Sequence, residues 1–247
     1  MILAFSIFQL LTITLIIMFL FLAFKLAETT WSYKISKPHS WEDAVKKGDV
    51  SKKLKRIERS YRDKVRFYSI WFQIERIKKN NVIGAFAELG VYRGETARMI
   101  HEMDPSRKLY LFDTFEGFDK NDLKAENSSN PNSSIDFSNT SIEMVTKFID
   151  GNSNILIHKG YFPSTTKNLM EEKYSFVHLD ADLYNPTLSG LHYFYPLLSP
   201  GGVILVHDYN HTWAGVQQAV DKFTKTIPEN PAEIADWQGS VMIIKNS

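Results

Sequence analysis

The chain contains no cysteine among its 247 residues. This absence excludes disulfide bridges, zinc sites built on thiolates and catalysis by a cysteine nucleophile. It leaves the cellular compartment open, because a chain without cysteine folds equally well under oxidising and reducing conditions. The length is sufficient to bury a sizeable core without a disulfide or a structural metal. We therefore expect one globular domain with a short addition.

The first 24 residues lack charged side chains altogether. As a helix they would extend about 36 Å, enough to cross a hydrocarbon core of about 30 Å. A cleaved signal peptide is the alternative, but this apolar run is longer than usual, with no basic region before it and no clear A-x-A site after it. We predict a single transmembrane anchor over residues 1–24. Lys25, Lys34 and Lys37 follow it, which places the rest of the chain in the cytoplasm by the positive-inside rule.

Charge is distributed unevenly along the chain. Residues 1–79 carry 16 Lys or Arg and 7 Asp or Glu, whereas residues 80–247 carry 13 and 21. The acidic body argues against nucleic acid as its partner. Candidate caps and apolar residues at helical spacing predict helices within residues 40–80, and we take residues 25–80 as a basic juxtamembrane helical segment. We expect its basic face to be a solvated face of a helix packed on the next domain, a contact with anionic lipid head groups, or both, since the two are compatible.

Short apolar runs alternate with helical patterns through residues 81–247. The candidate strands are Ile83–Leu89, Lys108–Phe112, Ile155–His158, Phe176–Asp180, Val203–His207 and Val241–Lys245. The candidate helices are Glu95–His101, Ser141–Phe148, Pro186–Leu198 and Ala214–Thr226. Strands that are apolar throughout and separated by helices predict an α/β domain with a parallel sheet covered on both faces.

A polar, low-complexity loop, residues 119–141, interrupts this alternation. Long loops inside compact domains are usually functional or disordered. The loop follows the second strand and so lies at the carboxyl edge of the sheet, where open α/β sheets bind ligands. We predict a mobile lid; the alternative is an inert surface insertion.

The turn after the first strand predicts a nucleoside ligand. Glu88 precedes a glycine turn with Gly90 and Gly94, whose backbone can approach a ligand closely. Tyr92 occupies the position of the second glycine of the G-x-G-x-x-G pattern, which argues against a dinucleotide. Glu88 suits a ligand with an amino group and a positive sulfur. Asp113, at the end of the second strand, either accepts hydrogen bonds from both ribose hydroxyls or is an ordinary helix cap.

Acidic residues also follow the fourth and fifth strands. Asp180 and Asp182 end one strand, and Asp208 ends the next. Because parallel strand ends lie side by side, Asp180 and Asp208 could share a divalent cation such as Mg²⁺. The alternative is that these acids are caps or surface groups. Asp182 is the preferred proton acceptor for a substrate hydroxyl, and His211 is the other candidate.

Together these segments resemble the macrocin O-methyltransferase family of class I methyltransferases. The likeness covers about residues 82–245 and rests on Ala87–Gly94, Leu111–Gly117, Lys159–Phe162, Leu179–Tyr184, Tyr195–Gly202 and His207–Tyr209. The resemblance implies a Rossmann-like, mostly parallel seven-stranded sheet, S-adenosylmethionine as methyl donor, Mg²⁺, and methylation of a hydroxyl on a sugar-containing acceptor. The cofactor-binding positions expected on this basis are Glu88, Gly90, Tyr92, Gly94, Asp113, Gly160 and Asp180. The resemblance also implies that Asp180 and Asp208 are metal ligands and that Asp182 is the base.

His207 departs from the family pattern, which has an acid at this position. Imidazole suits softer metals than Mg²⁺, so either His207 ligates Mn²⁺ or Fe²⁺, or it supports the ligands without binding the metal. Two other functions are weighed against the enzyme. One is a membrane-tethered, non-catalytic binding or scaffold protein on this fold, and the other is a nucleotide-sugar oxidoreductase. The sequence does not identify the acceptor, which is either a small soluble molecule or a membrane-linked glycan.

Overall fold

The structure is a computed structural model that describes residues 6–126, 137–167, 169, 172–210 and 214–246. It divides into two compact units, Met1–Val50 and Ser51–Ser247. Helices form through much of the segment 25–80, as the apolar spacing predicts. The boundary expected at residue 80 does not coincide with the division between the units, because helices after residue 51 pack within the second unit.

The first unit contains two helices, α1 (Ile7–Ser36) and α2 (His39–Lys47). The Ser6 hydroxyl caps α1 by accepting the backbone N–H of Gln9. The stretch Ile7–Thr30 is long and apolar enough to cross a membrane, and none of it is buried within the protein. The helix continues to Ser36, well past the predicted end of the anchor at residue 24, because no Gly or Pro interrupts it before Pro38.

Two helices open the second unit, α3 (Lys52–Ser60) and α4 (Lys64–Lys79). Asp63 caps α4 by accepting the backbone N–H of Arg66. Phe67, Ile70 and Ile74 are fully buried along one side of α4, as their spacing of three and four residues requires. This helix packs on the sheet and on the first helix of the alternating region.

A seven-stranded sheet forms the centre of the second unit. Its strands are β1 (Ala85–Leu89), β2 (Leu109–Asp113), β3 (Ile155–Lys159), β4 (Tyr174–Leu179), β5 (Leu198–Val206), β6 (Ala232–Ile234) and β7 (Ser240–Ile244). Their order is β3-β2-β1-β4-β5-β7-β6, with β7 antiparallel to both neighbours and the others parallel. The predicted mostly parallel sheet is confirmed. The sequence indicated six of these strands and missed β6, which is short and largely exposed.

Helices cover both faces of the sheet. They are α5 (Glu95–Met103), α6 (Lys120–Ala125), α7 (Ile142–Ile149), α8 (Tyr184–Leu197) and α9 (Ala214–Thr224). Ala85, Ala87 and Leu89 of β1 join α8 and α9 in one apolar core. The alternate residues of β1 point to the other face, where α4 and α5 lie.

The segment predicted as a polar loop, residues 119–141, begins with a helix. Asp119 caps α6 by accepting the backbone N–H of Asn121 at 2.7 Å, which explains why the helix starts there. The prediction of an unstructured loop is therefore wrong for residues 120–125. Residues 127–136 lie outside the described residues, so the predicted lid motion is not tested.

Candidate active site

A cavity of about 450 Å³ lies at the carboxyl edge of the parallel strands. Its size is within the usual range for small-molecule sites. The predicted site residues that line it are Glu88, Gly90, Tyr92, Asp113, Gly160, Asp180, Asp182, His207 and Asp208. Gly94 is not among the lining residues, and His211 lies outside the described residues. The strand ends thus bring most of the predicted residues to one place.

The turn after β1 is shaped by close packing of two strand ends. Gly90 has a φ of +87°, and a Cβ added there would lie 1.9 Å from the carbonyl oxygen of Asp180. A Cβ added at Gly94, whose φ is +81°, would lie 3.1 and 3.3 Å from side-chain carbons of Val145 and Ile149 in α7. Both glycines therefore have a packing role, which the sequence pattern did not indicate. Between them Tyr92 adopts a φ of 48°, an unusual backbone conformation for a bulky residue.

Glu88 and His178 form a buried pair behind this turn. Glu88 Oε1 lies 3.0 Å from His178 Nδ1, and the His178 side chain is fully buried. Burial raises the pKa of Glu88 well above its usual range, and the charges of Asp180 and Asp113 add to this effect. Burial lowers the pKa of His178 to about 3. His178 is therefore a packed core histidine.

Asp113 holds the turn through its carboxylate. Oδ2 accepts the backbone N–H groups of Val91 and Tyr92 at 2.7 and 2.9 Å, and Oδ1 accepts that of Phe115 at 2.6 Å. A carboxylate has about four acceptor positions, so these bonds leave about one free. The geometry thus has room for one ribose hydroxyl, whereas the sequence suggested two.

Asp180, His207 and Asp208 lie together after β4 and β5. His207 Nδ1 is 2.9 Å from Asp180 Oδ1 and 3.2 Å from Asp208 Oδ1. Burial opposes the charged imidazole, but Asp180, followed by Asp208, outweighs it and raises the pKa of His207 to about 10. The same contact lowers the pKa of Asp180 against the effect of its own burial.

These three residues have the donor atoms of a metal site. One ligand atom from each lies within 4.8 Å of the others. Two carboxylates and an imidazole fit a divalent cation, with Mn²⁺ or Fe²⁺ as suitable as Mg²⁺. A cation would have to displace the proton of His207, since a metal-binding imidazole is neutral.

Asp182 differs from the neighbouring acids in its proton affinity. Burial, the charge of Asp180 and a hydrogen bond with Asp208 raise its pKa well above the usual range. Its φ of 59° is a left-handed conformation that Asp tolerates better than most residues. A raised pKa makes the ionised carboxylate a stronger proton acceptor.

Sequence reasoning did not find one wall of the cavity. This wall consists of Tyr61, Arg62, Asp63 and Arg66 from the α3–α4 junction and Trp237 and Gln238 from the turn before β7. Arg66 donates to Gln238 Oε1 at 3.3 Å, and Gln238 donates to Asp208 Oδ1 at 3.2 Å. In the sequence Arg62 and Arg66 belong to the basic segment, and no local motif distinguishes them from its other cations.

The described ends of the predicted lid pack on the opposite wall. The Tyr92 hydroxyl donates to Asn139 Oδ1 at 2.8 Å. The ring of Phe137 packs edge-on against Tyr92 and Phe118, with centroids 5.0 and 5.2 Å apart. Phe118 and Phe137 line the cavity, so the segment that follows β2 contributes to the site.

The sheet order, the helices on both faces and the cavity at the carboxyl edge define a Rossmann-like methyltransferase fold. The model of the macrocin O-methyltransferase (TylF) family matches residues 34–242, and the chain belongs to this family.

Two curated relatives and one solved structure are similar to this chain. A tetracenomycin rhamnosyl 4′-O-methyltransferase of Streptomyces olivaceus is 23% identical over 58% of this chain and 60% of its own length. Mycinamicin III 3″-O-methyltransferase of Micromonospora griseorubida is 29% identical over 55% of this chain and 59% of its own length. The chain spans about three-fifths of the length of these relatives. The O-methyltransferase NovP has a TM-score of 0.63 at 22% identity, covering 74% of this chain and 81% of its own, which shows a shared fold.

Proposed function

We propose that the protein is an S-adenosylmethionine-dependent O-methyltransferase that acts on a hydroxyl of a sugar-containing or other small polar acceptor. The observation that carries this proposal is the convergence of Glu88, Asp113 and the acids after β4 and β5 in one cavity. The family match and the relatives named as O-methyltransferases support it. A scaffold protein would have no need of these converging acids.

Glu88 and Asp113 are the proposed cofactor-binding side chains. Glu88 Oε2 is buried and makes no well-formed hydrogen bond within the described part of the chain, so an amino group would supply the missing donor. A ligand ammonium beside Glu88 would also favour its ionised form. The free acceptor position of Asp113 suits a ribose hydroxyl. S-adenosylmethionine supplies an electrophilic methyl group on its sulfonium.

Asp182 is the proposed general base. It would accept the proton of the acceptor hydroxyl as the oxygen–carbon bond to the methyl group forms and the sulfur–carbon bond breaks. The transfer converts the sulfonium into a neutral thioether, so no further acid is required. His211 remains the second candidate for this role.

Asp180, His207 and Asp208 are the proposed ligands of a divalent cation. Such a cation would lower the pKa of the acceptor hydroxyl. Calorimetric titration with Mn²⁺ and Mg²⁺ tests the site, with Asp208→Asn as the variant. We expect binding to the wild type that the variant weakens at least tenfold. Equal heats from both proteins would exclude the site.

We further propose that α1 anchors the protein in a membrane with the catalytic unit in the cytoplasm. Its apolar side chains are exposed along Ile7–Thr30, and near the end of this stretch Lys25 pairs with Glu28 at 2.8 Å. Lys52, Arg56 and Arg59 of α3 are exposed and available to anionic lipid head groups, whereas Lys53 donates to the Asp150 carbonyl oxygen. An acceptor linked to the membrane would suit this arrangement.

Cofactor binding is the decisive test of the proposed function. The full-length chain in detergent micelles is titrated with S-adenosylmethionine by calorimetry, beside Asp113→Asn and the surface control Asp150→Asn. We expect micromolar binding that Asp113→Asn weakens by about 1–3 kcal/mol, the usual loss for a buried hydrogen-bond partner. The control should bind like the wild type. Absence of binding to a folded wild-type protein would favour the tethered scaffold.

A further inference from the structure

An exposed aromatic ring and an arginine lie side by side at the cavity wall. Trp237 is 70% exposed, although it belongs to the lining of the same cavity as Asp180 and Asp182. The guanidinium carbon of Arg62 lies 5.2 Å from the centroid of the Trp237 ring. This is a cation–π arrangement, which orients the guanidinium without using its N–H donors.

The two arginines of this wall differ in their counter-charges. Arg66 is 8% exposed and lies 3.9 Å from Asp63 and 4.0 Å from Asp180. Arg62 is exposed and has no carboxylate within ion-pair distance among the residues that the structure describes. Arg62 can therefore pair with an anion from outside the protein, and its planar group favours phosphate or carboxylate.

Backbone contacts hold Trp237 in place. Its backbone N–H donates to Asp63 Oδ2 at 2.8 Å, while Asp63 Oδ1 caps α4. The neighbouring Gln238 bridges Arg66 and Asp208. The turn before β7 is thus fastened to α4 independently of the indole, so the exposed side chain is not required to hold the turn.

We propose that Trp237 and Arg62 form an acceptor subsite for a sugar that carries a negative charge next to its ring. The indole offers a flat apolar surface to the C–H face of the ring, and Arg62 pairs with the phosphate or carboxylate. This assignment rests on the proposed O-methyltransferase function, in which Asp182 receives the hydroxyl proton. The cavity floor, formed by Asp113, Asp180, Asp182 and Asp208, is acidic. Arg62 therefore provides the local positive charge that admits an anionic acceptor.

A binding comparison of charged and neutral sugars tests this subsite. The full-length chain in micelles, first shown by calorimetry to bind S-adenosylhomocysteine, is mixed with hexose 1-phosphates and with the corresponding methyl hexosides. Gluco, galacto and manno forms are used, and ligand-observed NMR gives the dissociation constants. The proteins are wild type, Arg62→Gln, Trp237→Ala and the surface control Lys225→Gln.

We expect at least one hexose 1-phosphate to bind ten times more tightly than its methyl hexoside. Arg62→Gln should abolish this preference, Trp237→Ala should weaken both members of the pair, and Lys225→Gln should change neither. Equal affinities in the wild type, a preference that persists in Arg62→Gln, or no sugar binding by a protein that binds the cofactor product would each overturn the subsite. Failure to bind S-adenosylhomocysteine would instead overturn the proposed function on which the subsite rests.

Two sources could present the charged sugar. A soluble nucleotide-diphosphate sugar and a membrane-linked sugar phosphate share the same anion beside the ring. Uridine diphosphate hexoses in solution and a polyprenyl phosphohexose in lipid nanodiscs are therefore compared on the wild type and Arg62→Gln. Arg62-dependent binding of either source supports the subsite and identifies its source, whereas binding of neither, or binding independent of Arg62, contradicts it.

Discussion

At the scale of single residues, the ionisable side chains of the cavity differ in their charged partners and in their pKa values. His207 is held between Asp180 and Asp208, Glu88 is paired with His178, and Asp182 has a raised pKa. These differences arise from burial and from the nearest charged group, since the acids are chemically alike. The proposal that Asp182 is the base rests on this contrast and on its place in the cavity.

Replacing Asp182 by asparagine should slow methyl transfer without loss of cofactor affinity. The amide cannot accept the proton, and a general base contributes about 100- to 10,000-fold to a rate. Transfer of labelled methyl from S-adenosylmethionine to membrane and sugar-phosphate fractions measures the effect. Asp150→Asn, an exposed acid outside the cavity, should keep the wild-type rate. A rate for Asp182→Asn within threefold of the wild type would exclude this residue as the base.

His101, outside the cavity, should make the stability depend on pH. It is 3% exposed, and burial lowers its pKa. In the unfolded chain His101 takes up a proton near pH 6.5, whereas in the folded chain it does so only at lower pH. The contribution of the neutral, buried His101 to the free energy of unfolding is therefore fully present above about pH 6.5 and is lost as the pH falls below it. The loss cannot exceed about 1.4 kcal/mol per pH unit. Unfolding midpoints at pH 7.5 and 5.5 should differ less in His101→Gln than in the wild type; an equal difference would contradict this account.

At the scale of elements, the site is made from strand ends with unusual backbone conformations. Tyr92, Asp182 and Asp208 have φ values of 48°, 59° and 61° and follow β1, β4 and β5. Such conformations persist only where the surrounding contacts hold them. The hydrogen bonds that the Asp113 carboxylate accepts from backbone N–H groups of the turn after β1 are one such set of contacts.

Gly90→Ala should destabilise the second unit more than Gly201→Ala. Both glycines have left-handed φ values, +87° and +78°. An alanine in this conformation is destabilised by about 1–2 kcal/mol at either position. The added methyl at Gly90 would lie 1.9 Å from the Asp180 carbonyl oxygen, whereas at Gly201 it would meet the Val82 side chain at 3.2 Å. Thermal unfolding measures the difference. Equal losses would show that β1 and β4 can separate at this edge.

At the scale of the whole molecule, an apolar helix precedes the unit that contains the sheet and the cavity. The stretch Ile7–Thr30 can span a membrane by length and composition, while residues 51–247 contain the sheet and the cavity. Anchoring would restrict the cavity to acceptors near the membrane surface. It would also raise the local concentration of any acceptor that is itself membrane-linked.

The absence of cysteine makes the membrane topology directly measurable. Asn230→Cys introduces a single thiol at an exposed position of the second unit. In intact bacterial cells an impermeant maleimide should not label it, and lysis should expose it, because the predicted orientation is cytoplasmic. Labelling of intact cells would reverse the orientation. Recovery of the protein in the soluble fraction would exclude the anchor.

The amino-acid sequence was sufficient for the fold and for the floor of the site. Continuous apolar runs predict buried parallel strands, and acids directly after them must meet at one edge, so Asp113, Asp180 and Asp208 were found by position alone. The family resemblance was confirmed by the match over residues 34–242. The metal, the orientation in the membrane and the roles of the site residues remain predictions.

Only the tertiary structure revealed the wall that faces this floor. Asp63 and Trp237 are 174 positions apart, yet a hydrogen bond joins them and brings Arg62 over the indole. β6 and α6 escaped prediction because one is short and exposed and the other lies in a polar stretch, so neither has a periodic apolar pattern. Local patterns report what each segment buries, whereas contacts between distant segments depend on how the whole chain packs, which no short stretch encodes.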